Sequence, residues 1–186
     1  SKAAKQVFVP LTVGGGVRTV QDAARLLNAG ADKISVNSAA VNRIELLTEL
    51  SIAYGSQATV LAIDTRKTGG RWVVYVHGGR QATSLEAVEW ARIGQHAGAG
   101  EILLTSMDTD GVKGGFDVEL VKAVCASTTV PVIASGGAGT AQHFVELFST
   151  TEASAALAAS IFHDRGTSVS AVKQALGQAN IVVRPS

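Results

Sequence analysis

Two stretches of the sequence set glycine pairs and hydroxyl side chains where an apolar run gives way to a polar one. TVGGGV (Thr12 to Val17) and ASGGAG (Ala134 to Gly139) each put Gly-Gly after such a run. VNSAAV (Val36 to Val41) and AASIFH (Ala158 to His163) put Asn-Ser or Ala-Ser after the next one. Glycine lets the backbone approach a ligand closely and adopts left-handed conformations. Backbone N–H groups that open a following helix point at an anion, and serine or asparagine adds a side-chain donor. The chemistry these residues could do is phosphate binding. Tight turns alone would explain a lone GGG. Here, however, Gly15 and Gly137 stand 122 residues apart, as do Ser38 and Ser160. The shared offset favours two phosphate cradles, and hence a ligand with a phosphate at each end.

A third element of chemistry is Asp64, which ends the apolar run of LAIDTRK. A carboxylate at the C-terminal end of an interior strand could act as general acid or base. It could equally cap a helix or pair with Arg66 or Lys67. Downstream, TSMDTDG (Thr105 to Gly111) offers Asp108, Asp110 and the Gly111 backbone to the same end, although Asp-Gly turn chemistry would also place them. The four histidines, His77, His96, His143 and His163, share no metal-ligand spacing. Cys125 reads as a small core residue and Trp90 as packing. No metal and no cofactor are expected.

These residues need strands to hold them, and the sequence supplies an alternating pattern. Strands are expected at Val7 to Val13, Lys33 to Asn37, Ala58 to Asp64, Glu101 to Thr105, Pro131 to Ser135 and Ser154 to Ala159, with amphipathic helices between them. Helices are expected at Val20 to Asn28, Asn42 to Tyr54, Ser84 to His96 and Ser168 to Leu176. RWVVYVH (Arg71 to His77) departs from the pattern and reads as a hairpin arm in a long loop. The strands look apolar on both faces, which predicts a parallel sheet built of βα units. Six units share 186 residues, two fewer than a closed (β/α)8 barrel requires. One domain spans 1–186, with an internal repeat of 12–41 in 134–163.

Composition narrows the function classes. With 46% hydrophobic and 17% charged residues, the chain can build a core and is not of the disordered class. A net charge of +1 gives no footprint for nucleic acid or an acidic membrane surface. No apolar run reaches the roughly 18 residues of a membrane span. The polar opening SKAAKQ has no signal-peptide character. One cysteine excludes an internal disulfide and suits the cytoplasm.

Taken together, PLTVGGGV, GADKISVNSAAV, GSQATVLAID, GAGEILLTSMDTDGVKGGFD, PVIASGGAG and ALAASIFH resemble the cyclase subunits of imidazole glycerol phosphate synthase. The resemblance implies a (β/α)8 TIM-barrel fold of which family strands three to eight are present. It implies the joining of ammonia to a bis-phosphate ribulosyl aminoimidazole-carboxamide ribotide, giving imidazole glycerol phosphate. It assigns Asp64 as one of two catalytic aspartates. Gly16, Asn37 and Ser38 match one phosphate site; Asp110, Gly111, Gly137, Ala159 and Ser160 match the other. Thr105 and Ser135 match substrate-contacting positions, and Lys33 and Glu101 match a charged gate that admits ammonia from a glutaminase partner. The sister isomerase of the same pathway shares the repeat and an aspartate at position 64, but GEILLTSMDTDG and SGGAGTAQHF look like the cyclase.

Two family units and the second catalytic aspartate have no match, so a truncated chain with weak or absent activity is expected. FSTTEASAALAAS also looks one residue longer than the family's. Six strands would leave bare edges at both ends of the sheet, predicting a homodimer or higher homo-oligomer. The alternatives to a cyclase are a phosphate-binding module without turnover and a barrel fragment that only self-associates.

Overall fold

The computed structural model describes residues 9–163 and 166–184. In chain order the strands are β1 (Thr12–Gly14), β2 (Lys33–Val36), β3 (Thr59–Thr68), β4 (Arg71–Val76), β5 (Gln81–Glu86), β6 (Glu101–Ser106), β7 (Val132–Ser135) and β8 (Ala155–Leu157). The helices are α1 (Val20–Asn28), α2 (Ser38–Asn42), α3 (Glu45–Tyr54), α4 (Ala87–His96), α5 (Val118–Ser127), α6 (Ala141–Thr150), α7 (Ser160–His163) and α8 (Val169–Gln178). Six strands pair in parallel in the order β1-β2-β3-β6-β7-β8, while β4 and β5 fold back as an antiparallel ribbon on β3. Parallel neighbours joined by helices, in an order that never reverses, make an incomplete (β/α)8 barrel.

The side chains of the parallel strands alternate in environment. Ile34, Leu61, Ile63, Ile102, Leu104, Val132 and Ala134 are fully or almost fully buried. They belong to one core with the helix residues Leu46, Leu47, Leu50, Leu120, Val124 and Leu147. The intervening residues, Lys33, Ser35, Ala62, Asp64, Thr105 and Ser135 among them, are only half-buried. The expectation of strands covered on both faces is therefore corrected. Helices cover one face, and the other is a concave surface on which Ala62, Leu103 and Ile133 form an apolar middle band between polar residues toward the strand ends.

The ends of elements follow local chemistry. α1 begins where the sequence predicts because Thr19 and Asp22 form a capping box. The Thr19 hydroxyl accepts from Asp22 N–H at 3.1 Å, and the Asp22 carboxylate accepts from Thr19 N–H at 3.0 Å. Other boundaries differ from expectation. QATSLE joins β4 as a strand, so α4 starts at Ala87, where Glu86 accepts from the N–H groups of Val88 and Glu89. The helix expected over Asn42 to Tyr54 starts later, at Glu45, because Arg43 is extended (φ −153°), and a separate short helix, α2, precedes it. Of the first expected strand, residues 7 and 8 lie outside the described residues, and the ladder covers only Thr12–Gly14. Trp90 is buried in the core and Cys125 is half-buried beside it.

Candidate functional site

The C-terminal ends of the parallel strands gather the polar residues. Asp64 sits one residue before the end of the β3–β6 parallel ladder, after which β3 continues only as a partner of β4. The register places Asp64 beside Thr105, Thr105 beside Ser135, and Ser135 beside Leu157. One half-buried polar row thus crosses β3, β6 and β7 on the concave face and ends at the exposed Leu157 of β8.

Asp64 is not paired with Arg66 or Lys67. Arg66 lies 3.5 Å from Asp108, and the Lys67 ammonium lies 2.9 Å from Glu119. The partner of Asp64 is Asn37, whose Nδ2 donates to its carboxylate at 2.9 Å. Burial pushes the Asp64 carboxyl above the ordinary carboxylate range. The Asn37 bond opposes this, and the charge of Asp110 adds to it. The other amide atom, Asn37 Oδ1, is buried without a protein partner, leaving an acceptor for a ligand or water.

Asn37 and Asp64 line a cavity of about 680 Å³. Gly15, Gly16 and Arg18 wall it from the β1–α1 turn, Ser38 from the start of α2, and His77 and Gly78 from the β4–β5 tip. Gly15 and Gly16 have φ of +88° and +79°, which a side chain would adopt only under strain. The space over both is open, so nothing but solvent competes for their approach to a ligand. The tip is tied to the cavity wall by a hydrogen bond: His77 N–H donates to Ser38 Oγ at 2.8 Å. The base of the ribbon is held on the β6 side, where Lys67 N–H donates to Asp108 at 2.6 Å and Trp72 Nε1 to Asp117 at 3.3 Å.

The second glycine pair is used differently. Gly136 and Gly137 also have positive φ, but a side chain there would run into the carbonyl oxygens of Ser106 and Gly115. The Gly115 N–H donates to the Gly137 oxygen at 2.9 Å. The β7–α6 loop is therefore laid backbone to backbone on the β6–α5 loop that carries Asp110 and Gly111. Ala159 and Ser160 are exposed at the start of α7, beyond β8. The structure thus brings Gly16, Asn37, Ser38 and Asp64 into one cavity, which does not include the second set.

At the opposite ends of the strands, Lys33 and Glu101 form an ion pair at 2.8 Å across the width of β3. Their side chains are 31% and 15% exposed. Lys33→Met leaves the Glu101 carboxylate without its counter-charge. A double-mutant cycle with Glu101→Gln in urea is expected to return a coupling of about 1 kcal/mol. Additive losses would mean that the pair is solvated.

Arg18, Ser35, Asn42, Arg43, His77 and Gly78 are among the cavity residues that sequence reasoning missed. Arg18 carried a signal, since it stands two residues after the last glycine of the GGG turn. His77 did not, because it meets Ser38 across 39 residues of chain.

A family model described as "Histidine biosynthesis protein" matches residues 1–168. The chain belongs to this histidine biosynthesis family. A relative within it is the imidazole glycerol phosphate synthase subunit HisF of Solibacter usitatus (strain Ellin6076), 55% identical over 185 residues. The match covers 99% of this chain and 73% of that relative. This histidine biosynthesis protein has no group of three or more His, Cys, Asp or Glu placed to hold a metal among its described residues. None of its described helices is long and apolar enough to cross a membrane.

Proposed function

We propose that this chain carries the cyclase chemistry of imidazole glycerol phosphate synthase, the joining of ammonia to a bis-phosphate ribulosyl aminoimidazole-carboxamide ribotide. The observation that carries the proposal is one cavity holding an open glycine turn, Ser38 and Asn37 beside a carboxyl group that burial biases toward its protonated form. The identity to a HisF subunit supports the same reaction.

In this scheme the backbone of Gly16, with Asn37 and Ser38, holds one phosphate of the substrate. Asp110, Gly111, Gly137, Ala159 and Ser160 hold the other. Thr105 and Ser135 contact the body of the substrate between them, and Asp64 transfers the proton. A buried carboxyl with a raised pKa can give up a proton at a pH where an exposed one has already lost it. Asn37 fixes which face of the carboxylate is free. The Lys33–Glu101 pair, at the far end of the same strands, guards the entry of ammonia from a glutaminase subunit. The test is formation of imidazole glycerol phosphate from the substrate and ammonium ion; no product above the uncatalysed rate would overturn the assignment.

The outer edges of β1 and β8 have no strand partner among the described residues, and Leu157 on β8 is 45% exposed. We propose that these edges pair with strands of a second copy, giving a homodimer or larger homo-oligomer. Light scattering after size exclusion is expected to give at least twice the 19.1 kDa of one chain. A monodisperse monomer would overturn this.

A further inference from the structure

Resting on the phosphate assignment above, we infer that Arg18 is the cation that selects a phosphate monoester in the Gly16–Ser38 cavity. The cavity is walled by two arginines, Arg18 and Arg43. Arg43 is already committed, with both guanidinium nitrogens on the Glu49 carboxylate at 2.5 and 3.0 Å. The Arg18 side chain is exposed and has no hydrogen-bond or ion-pair partner among the described residues. The nearest carboxylate in sequence, Asp22, is occupied. It accepts from the backbone N–H groups of Arg18 and Thr19, each at 3.0 Å, and pairs with the Arg25 guanidinium. That arrangement anchors the Arg18 backbone at the mouth of the cavity while leaving its charge unspent.

Neutral donors alone hold an anion weakly and do not distinguish a phosphate from other oxyanions by charge. The guanidinium fork matches two phosphate oxygens at once and supplies positive charge. With Arg18 at the mouth and Asp64 on the strand side, the cavity has an anion-attracting end and a proton-transfer end. It fits a substrate whose phosphate enters beside the glycine turn and whose reacting part lies against β3.

A site-resolved titration tests this. Inorganic phosphate is added to the ¹⁵N-labelled protein while the amides of Gly15, Gly16 and Gly78 are followed beside those of Gly111 and Ser160. Arg18→Met is expected to raise the phosphate midpoint at the cavity amides by about 10- to 100-fold. The midpoints at Gly111 and Ser160 stay where they were. Arg18→Lys, which keeps the charge without the fork, falls between. Because the side chain is exposed and has no partner among the described residues, the variants should fold like the parent, checked by their melting curves. Equal midpoints in parent and Arg18→Met would overturn the role of Arg18 while leaving the cavity a phosphate site. Failure of the parent's cavity amides to respond to phosphate would overturn the phosphate assignment itself.

Discussion

Asp64→Asn lowers ammonia-dependent turnover by roughly 10²- to 10⁴-fold, the usual contribution of a positioned general acid or base. The same substitution makes the folded protein more stable at neutral pH. Burial raises the Asp64 pKa, so the folded chain binds this proton more tightly than the unfolded chain does. Stability therefore falls as pH rises from the unfolded carboxylate value, about 3.9, through the folded value. Asparagine carries no charge and removes that loss, while its side-chain oxygen can still accept from Asn37. Melting curves at pH 7 should place Asp64→Asn above the parent, and the two should converge as pH drops below about 4. A variant less stable than the parent at pH 7 would mean that the carboxylate is stabilised where it sits. The raised pKa would then have the wrong sign.

Gly137→Ala has the largest expected effect on stability. Its methyl group would meet the Gly115 carbonyl, and its φ of +97° is one that alanine avoids. Overpacking costs about 1–3 kcal/mol and the left-handed backbone about 1–2. Together they amount to roughly 2–5 kcal/mol, or a fall in melting temperature of about 5–15 °C for a chain of this size. Gly15→Ala is the control. It shares the positive φ but opens onto empty space, so only the backbone cost applies. Equal melting temperatures for the two variants would show that the loop carrying Gly137 yields to the methyl group.

That contrast marks how far the sequence could be read. The repeat of glycine and serine at one offset located both turns, and the βα pattern supplied six parallel strands and the position of Asp64. α1 was legible to the residue because its capping box is local. What escaped was non-local. Whether a glycine faces a ligand or another loop depends on what folds over it, and Gly137 is covered by a loop more than twenty residues away. QATSLE carries no strong strand signal of its own; it becomes a strand because β4 offers it an edge. The half-buried concave face was hidden for the same reason. An apolar run does not reveal whether anything packs on its second side.

The order of the sheet sets a ruler. The first glycine–serine motif lies between β1 and β2, and the second between β7 and β8, with β3 and β6 in between. Four strand spacings of about 4.8 Å separate them, or roughly 19 Å along the curved sheet. The straight-line distance is shorter, because the sheet bends toward its concave side. A molecule anchored in both motifs must match that span, and the row Asp64–Thr105–Ser135 lies along its path. Length would then act as a filter before any chemistry: a small phosphate ester could occupy one end, but only an extended one could be stretched across the proton donor.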